Sequence, residues 1–306
     1  MREVDAVIQR RLASKVALID QIAHYIISAG GKRIRPLLVL LFSGALGFKG
    51  RERFELAATV EFIHTATLLH DDVVDESALR RGRRTANAMF GNAASVLVGD
   101  FVYSRAFQMM VSVNRMRVLD VLADATNVIA EGEVLQLMNM HDPDVAVEDY
   151  LQVIRFKTAK LFEASARLGA VLADVNRATE EACADYGRSL GTAFQLVDDL
   201  LDVVGDPSRT GKPVGIDLRD GNPSLPIVLA LPRSPALVAV WRRAEPTEAD
   251  VSAGLAEIVS SGAVERVRKE AIAYTQAAAD SLASLPLTPY RDFLETLIAE
   301  LRDRAY

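Results

Sequence analysis

The stretch LAATVEFIHTATLLHDDVVDES, residues 56–77, joins a run with helical period to a cluster of acidic residues. Alanine and leucine dominate the run, and polar residues recur every three or four positions, which is typical of a helix with one apolar face. In such a helix Asp71 and Asp75 share a face, with Asp72 beside them. Away from water, carboxylates about 5.5 Å apart repel by roughly 3 kcal/mol per pair. A buried cluster therefore needs a cation, whereas a solvated helix end, the alternative, does not.

A second cluster of the same form follows in FQLVDDLLDVVGD, residues 194–206. Asp198, Asp199 and Asp202 again lie inside an apolar run with helical period. Mg²⁺ suits such clusters, because it binds one or two carboxylates and keeps its other positions for water and phosphate oxygens. Two matching clusters are hard to explain as two solvated faces. The sequence therefore predicts that these carboxylates bind several Mg²⁺ around a diphosphate.

Helical periodicity extends over most of the remaining chain. The clearest ranges are 92–112, 117–140, 147–174, 177–204 and 262–283. No strand alternation of useful length, domain linker or internal repeat is visible. The segment 205–226 is long for a connection without structure and is predicted to be a functional loop, and 232–250 is predicted to be a peripheral excursion. We expect one all-α domain over 1–306, a large helical bundle.

Composition excludes several classes of protein. Half of the 306 residues are hydrophobic and the net charge is -6, so we expect no general nucleic-acid binder, which would present a basic face. The longest apolar stretch, 36–48, is shorter than the roughly 20 residues that span a bilayer, so no transmembrane segment is predicted. Cys183 is the only cysteine, and the N-terminus lacks the apolar core of a signal peptide, so a cytoplasmic location is expected.

Cationic residues accompany the acidic clusters. They suggest two diphosphate sites, one bound through metal and one bound by arginine and lysine directly. A solvated surface charge is the alternative for each residue taken singly. The candidates are Lys32 and Arg35 in GGKRIRP, Arg80 and Arg81 after the first cluster, Lys157 beside Thr158, and Lys212 in the long loop.

Together these motifs resemble those of the trans-prenyltransferases, which join isoprenyl diphosphates head to tail. The resemblance covers residues from about 20 to 230 in order. It rests on GGKRIRP, EFIHTATLLHDDVVDES, FKT, GTAFQLVDDLLD and GKPVGIDL. FGNAASVLVGDFVYSRAFQMM and VIAEGEVLQLMN are most similar to the octaprenyl diphosphate synthase branch. The family implies an all-α homodimer of the isoprenoid synthase type, in which both acidic clusters face a central cavity.

The resemblance also implies roles for single residues. About three Mg²⁺ ions bind the allylic diphosphate, held through Asp71, Asp75 and Asp198. The full set of expected metal ligands is Asp71, Asp72, Asp75, Asp198, Asp199 and Asp202. Expected contacts of the allylic diphosphate are Arg80, Lys157, Thr158, Gln195 and Lys212. Expected contacts of isopentenyl diphosphate are Lys32, Arg35, His64 and Arg81. The residues expected to be catalytic are Asp71, Asp72, Asp75, Arg80, Lys157 and Asp198.

The implied activity is that of a long-chain trans-polyprenyl diphosphate synthase with a primer such as farnesyl diphosphate. Ala66 and Thr67 lie one turn before Asp71, and because both are small we expect room for a long product, octaprenyl diphosphate. The alternatives are a short-chain farnesyl or geranylgeranyl diphosphate synthase and a non-catalytic subunit of a heteromeric prenyltransferase.

Two further features bear on the resemblance. A class I terpene cyclase also carries an aspartate-rich motif, but the second motif DDLLD together with GGKRIRP argues against that class. Asn222, followed by Pro223, stands where the family often has a lysine. One diphosphate contact is therefore missing or supplied elsewhere.

Overall fold

The computed structural model describes residues 1–28, 30–80, 82–207 and 213–304 of the chain. Over these ranges the protein consists of α-helices with short 3₁₀ and π turns and one two-stranded antiparallel ribbon. The ribbon pairs Leu79 with Arg84 and Arg80 with Arg83. The all-α prediction is confirmed. None of the helices in the described part of the chain has the length and apolarity needed to cross a membrane.

The helix bounds follow the predicted periodicity closely. Those in the first half are α1 (Arg2–Leu12), α2 (Ala17–Ser28), α3 (Ile34–Ala45), α4 (Glu52–Val74), α5 (Ala86–Phe90), α6 (Asn92–Ser112), α7 (Met116–Asn139) and α8 (Val147–Ile154). Those in the second half are α9 (Lys160–Leu172), α10 (Arg177–Val204), α11 (Ile216–Asp220), α12 (Leu225–Ala230), α13 (Pro235–Trp241), α14 (Glu248–Ser260), α15 (Ala263–Ser281) and α16 (Pro289–Arg304). A π turn, Arg155–Ala159, separates α8 from α9.

By its internal contacts the chain forms two compact units. Unit 1 comprises Met1–Thr126, Ala164–Ala184 and Leu285–Asp292. Unit 2 comprises Asn127–Glu163, Asp185–Ser284 and Phe293–Tyr306. The single domain over 1–306 stays a prediction.

Helix α4 forms much of the core of unit 1, where it packs on α1, α3 and α6. Leu56, Phe62 and Leu69 are fully buried, and burial of each such side chain contributes about 1.5–3 kcal/mol. The helix ends at Val74 and Asp75 is its C-cap residue; the following residue, Glu76, has a left-handed conformation with φ 49°. The apolar run is therefore in the core, and the first acidic cluster lies at the end of the helix.

In unit 2 the segment 232–250 differs in part from expectation. It contains α13, whose Leu237 and Trp241 are buried in the core. Most of the segment is exposed, as expected of a peripheral excursion, but the sequence analysis did not predict the buried face of this short helix. The helix begins where the Ser234 hydroxyl accepts a hydrogen bond from the Leu237 N–H. The predicted loop 205–226 contains the short helix α11, and its residues 208–212 lie outside the described ranges.

Candidate active site

The first acidic cluster lies at the C-terminal end of α4 in unit 1. Asp71 is half-buried and Asp75 is exposed, whereas only 1% of Asp72 is exposed. Arg80, on the ribbon, donates from Nε to Asp72 Oδ1 at 2.8 Å, and its Nη2 lies 2.7 Å from the same oxygen. A buried carboxylate is costly unless it is paired in this way, by hydrogen bonds from a cation.

Local hydrogen bonds hold the turn that returns Arg80 to the cluster. Asn87 donates from Nδ2 to the Asp72 carbonyl at 2.9 Å, and Thr85 donates its hydroxyl to the Ser77 carbonyl at 2.6 Å. The second carboxylate oxygen of Asp72, Oδ2, is buried and has no hydrogen-bond partner among the described residues. Such an oxygen is costly to leave unsatisfied. A bound cation or its water would supply the missing partner, so the first cluster fits Mg²⁺.

The second acidic cluster lies near the C-terminal end of α10 in unit 2. The Asp198 side chain is 38% exposed, and Nη2 of Arg304 on α16 lies 3.7 Å from its Oδ1. Asp202 accepts hydrogen bonds from the backbone N–H groups of Ile216 at Oδ1 and of Asp217 at Oδ2, both at 3.1 Å. The Asp202 carboxylate therefore caps the first turn of α11, where it satisfies N–H groups that lack partners within the helix.

The middle residue of this cluster, Asp199, is only 3% exposed. Its Oδ2 accepts from the Tyr150 hydroxyl at 2.5 Å and from the Leu225 N–H at 3.0 Å, and its Oδ1 accepts from Gln195 Nε2 at 3.0 Å. Burial raises the pKa of Asp199 to about 6, because the hydrogen-bond donors offset only part of the lost hydration. Burial also raises the pKa of Tyr150, so its hydroxyl stays a donor.

Two glycines bring neighbouring helices close to the π turn that carries Lys157 and Thr158. A Cβ on Gly132 of α7 would lie 2.7 Å from the backbone nitrogen of Lys157, and a Cβ on Gly191 of α10 would lie 2.7 Å from Cα of Ala159. Contacts this short exclude any larger residue at either glycine. π turns within helices occur frequently at functional sites. This one places Lys157 and Thr158, two predicted contacts of the allylic diphosphate, beside α7 and α10.

The side chains of the π turn are paired with those helices. Lys157 Nζ lies 2.6 Å from Oε2 of Glu133 on α7. Thr158 donates its hydroxyl to Oε1 of Gln195 on α10 at 3.0 Å. The structure therefore brings three of the predicted contacts of the allylic diphosphate together, and Glu133 is a partner that the sequence analysis missed.

A cavity of about 190 Å³ opens beside the π turn, wholly within unit 2. The predicted residues Lys157, Thr158 and Gln195 line it, together with Gln136 and Tyr150, which the sequence analysis did not select. Gln136 lies within the motif VIAEGEVLQLMN, and this position could have identified it as a candidate site residue. A larger groove of about 560 Å³ in unit 1, between α1, α2 and α5, is lined by none of the predicted site residues that the structure describes.

Asn222, where a lysine is common in the family, also lines the cavity of unit 2. Its Nδ2 donates to Asp217 Oδ1 at 2.9 Å, and its Oδ1 accepts from Gln136 Nε2 at 3.0 Å. Burial and the nearby carboxylates of Asp202 and Asp199 raise the pKa of Asp217. The Asn222 amide therefore ties this carboxyl group to α7 and supplies no positive charge.

The predicted contacts of isopentenyl diphosphate lie around the start of α3 in unit 1. Arg35 Nη1 lies 3.2 Å from His64 Nε2, and Lys32 is exposed in the preceding loop. Between them Arg33 has a left-handed backbone, φ 51°, and its Nε lies 3.3 Å from Glu61 Oε1 on α4. This ion pair holds the loop against α4, on which His64 also lies.

Two other predicted contacts, Arg81 and Lys212, lie outside the described residues. Over the ranges that the structure describes, no three histidine, cysteine or acidic side chains converge closely enough to form a complete metal site. Each acidic cluster belongs to its own unit, so a common cavity for both clusters stays a prediction.

Comparison with known proteins gives consistent matches. A family model for polyprenyl synthetase matches residues 16–258. The chain is 50% identical over 310 residues to octaprenyl diphosphate synthase of Escherichia coli (strain K12), which covers 99% of this chain and 96% of that protein. Its structure is similar to that of a decaprenyl diphosphate synthase from Rhodobacter capsulatus, with TM-score 0.94, 43% identity and coverage of 100% and 96% of the two chains. It is also similar to a polyprenyl synthase from Caulobacter crescentus CB15 complexed with calcium and isoprenyl diphosphate, with TM-score 0.93, 46% identity and coverage of 99% and 93%.

Proposed function

The chain belongs to the polyprenyl synthetase family, and from this we infer that it is a long-chain trans-prenyltransferase that makes octaprenyl diphosphate. It would add isopentenyl diphosphate head to tail to an allylic diphosphate such as farnesyl diphosphate. The observation that carries the proposal is the cavity of unit 2, where Lys157, Thr158 and Gln195 meet beside the second acidic cluster. Cationic and amide donors around a cavity suit a diphosphate.

Asp71 and Asp75 in unit 1 and Asp198 in unit 2 would hold Mg²⁺, about three ions in all. The exposure of the side chains supports these three as direct metal ligands. Asp71, Asp75 and Asp198 are partly or fully exposed, whereas Asp72 and Asp199 are buried. When bound, Mg²⁺ neutralises negative charge that builds on the departing diphosphate. Asp72, also predicted as a ligand, would meet the metal through a bound water at its unsatisfied Oδ2. Asp199 and Asp202, predicted as ligands too, would mainly hold the surrounding elements in place.

The other residues would act on the allylic diphosphate directly. Lys157, held by Glu133, and Gln195 would bind its oxygens and stabilise the charge that develops as the allylic C–O bond breaks. The double bond of isopentenyl diphosphate would then attack the allylic carbocation. The attack forms the new C–C bond and leaves the positive charge on the isopentenyl unit. The carbon next to this cation would then lose a proton to the departed diphosphate, which restores a double bond in a product one isoprene unit longer.

Isopentenyl diphosphate itself would bind at the start of α3. Lys32 and Arg35 supply positive charge there, and His64 lies in contact with Arg35. An arginine can bind a phosphate through two parallel hydrogen bonds, which fixes the position of the substrate as well as its charge. This second set of cations belongs to unit 1, so the two diphosphates would meet different groups.

We expect a homodimer, and α6 supports it. Leu97 and Val111 are 67% and 61% exposed, and with Phe107 they lie within about 100° of one another around the helix. An exposed apolar stripe of this kind marks an interaction surface. Sedimentation should show a dimer that dissociates in the Leu97→Asp, Val111→Asp variant. A monomeric wild-type protein would contradict the proposal.

One assay tests the activity. Purified protein is incubated with Mg²⁺, farnesyl diphosphate and labelled isopentenyl diphosphate, and the product is dephosphorylated and sized. We expect octaprenyl alcohol as the main product. Products that stop at geranylgeranyl length would assign a short-chain synthase, and no condensation with any allylic primer would overturn the proposed activity.

A further inference from the structure

A chain of hydrogen bonds in unit 2 runs from α8 to the π turn through the second acidic cluster. Tyr150 donates to Asp199 Oδ2 at 2.5 Å, Gln195 donates to Asp199 Oδ1 at 3.0 Å, and Thr158 donates to Gln195 Oε1 at 3.0 Å. These four side chains, here named the relay, all line the same cavity. The relay thus forms part of the wall that would face the allylic diphosphate.

The chemistry of its members fixes the direction of the relay. An ionised carboxylate only accepts hydrogen bonds, so Asp199 must face an N–H of Gln195 and not its carbonyl. The Gln195 carbonyl then faces Thr158, which donates its single O–H to it. Among the described residues Gln195 donates to Asp199 through one N–H, so its other N–H remains for a ligand, whereas the Thr158 oxygen offers lone pairs only. Diphosphate oxygens, which are acceptors, would therefore be met by Gln195 and not by Thr158.

Tyr150 is the side chain that holds Asp199 in this arrangement. The remaining partner of Asp199 Oδ2 is the backbone N–H of Leu225 at 3.0 Å. A buried carboxylate needs all its donors, since each missing hydrogen bond leaves charge without solvation. Without the tyrosine hydroxyl, the Asp199 carboxylate can rotate towards other donors, and its hydrogen bond with Gln195 Nε2 is then lost.

We propose that Tyr150 is a positioning residue for prenyl transfer, which acts through Asp199 to hold a Gln195 N–H towards the allylic diphosphate. This inference rests on the proposed function. It predicts an effect on one of the two substrates, because isopentenyl diphosphate is assigned to Lys32 and Arg35 in unit 1.

The first test is Tyr150→Phe, which removes the hydroxyl and keeps the ring. The KM for farnesyl diphosphate should rise about fivefold, the loss expected for one hydrogen bond, while the KM for isopentenyl diphosphate should not change. Tyr186→Phe is a matched control, since Tyr186 is another fully buried tyrosine of unit 2 whose hydroxyl donates to the Leu294 carbonyl at 2.8 Å. It should lower the melting temperature by a similar amount and leave both KM values unchanged.

A double-mutant cycle separates positioning from a merely structural role. If Tyr150 acts through Gln195, the Tyr150→Phe, Gln195→Ala variant should have the same KM for farnesyl diphosphate as Gln195→Ala alone. If its role is structural, the two effects should multiply. Multiplying effects, or an equal rise in both KM values of Tyr150→Phe, would overturn the inference.

A second variant keeps the test decisive if Tyr150→Phe does not fold. Asp199→Asn keeps the shape of the side chain but can present an N–H to Gln195, which then has no fixed direction. The KM for farnesyl diphosphate should rise at least fivefold, again without change for isopentenyl diphosphate. A wild-type protein that condenses no allylic primer would refute the proposed function, whereas an active wild type with unchanged variants would refute the positioning role alone.

Discussion

The two acidic clusters share the spacing DDxxD but differ in what holds their middle residues. Asp72 is paired with a cation, Arg80, and its second oxygen has no hydrogen-bond partner among the described residues. Asp199 is held by neutral donors at both oxygens. Neutral donors compensate a buried charge less well than a cation does. This is why burial raises the pKa of Asp199 to about 6.

The last residues of the clusters differ as well. Asp75 is exposed at the end of α4, whereas both carboxylate oxygens of Asp202 accept hydrogen bonds from backbone N–H groups of α11. The first cluster is thus a charged site supported by an arginine, and the second is largely a scaffold around one partly exposed carboxylate, Asp198. A shared motif therefore determines which residues lie together, but not which oxygens face a ligand.

The largest expected effect tests the residues assigned to Mg²⁺ in both clusters. Asp71→Ala and Asp198→Ala should each lower kcat by about 10²–10³ or more, as removal of an electrostatic stabiliser of the transition state does. Both variants should stay folded without metal, because removing one charge of a cluster relieves repulsion. Turnover at saturating Mg²⁺ and thermal unfolding check the two statements. Near-normal turnover in both variants would contradict the metal assignment.

The residues one turn before each cluster sharpen the comparison. α4 has the small Ala66 and Thr67 there, whereas α10 has Phe194, whose ring lies 5.5 Å from that of Phe162. If the growing chain runs back along α4, Ala66→Phe should shorten the product to farnesyl or geranylgeranyl size and leave the first condensation active. Ala66→Ser, a small control, should keep the long product. An active Ala66→Phe enzyme with the wild-type product length would show that the chain leaves along another wall.

Periodicity predicted the helices well, because an apolar stripe of 20 or so residues is buried efficiently only as a helix. The predicted ranges 92–112 and 177–204 match α6 and α10. The π turn was not predicted, since its own residues carry no breaker and the glycines that approach it, Gly132 and Gly191, are distant in sequence. Tyr150 was missed for a similar reason, because a single tyrosine in an apolar helix carries no signal until folding places it against Asp199.

The support of the first cluster predicts a loss of stability. Arg80→Met should lower the free energy of unfolding by about 3 kcal/mol, because it leaves the buried Asp72 carboxylate without its cation. Adding Asp72→Asn should restore much of the loss. Arg51→Met is the control, since Arg51 is 85% exposed and its ion pair with Glu3 at 3.2 Å should contribute less than about 1 kcal/mol. Urea unfolding without metal measures all three, and equal losses for Arg80→Met and Arg51→Met would contradict the supporting role.

The smallest expected effect is a dependence of the free energy of unfolding on pH, caused by the buried carboxylate of Asp199 in the second cluster. The pKa of Asp199 rises from 3.8 to about 6 on folding, so between these values the folded protein keeps a proton that the unfolded chain has released. The free energy of unfolding should therefore fall as the pH rises through this window, by about 1–3 kcal/mol. Asp199→Asn lacks this titration, so the stability of the wild type relative to the variant should decrease between pH 4 and pH 7. Urea unfolding of both proteins without metal, across about pH 4 to 7, provides the measurement. A constant difference would mean that Asp199 is ionised at every pH of the series and that burial does not raise its pKa.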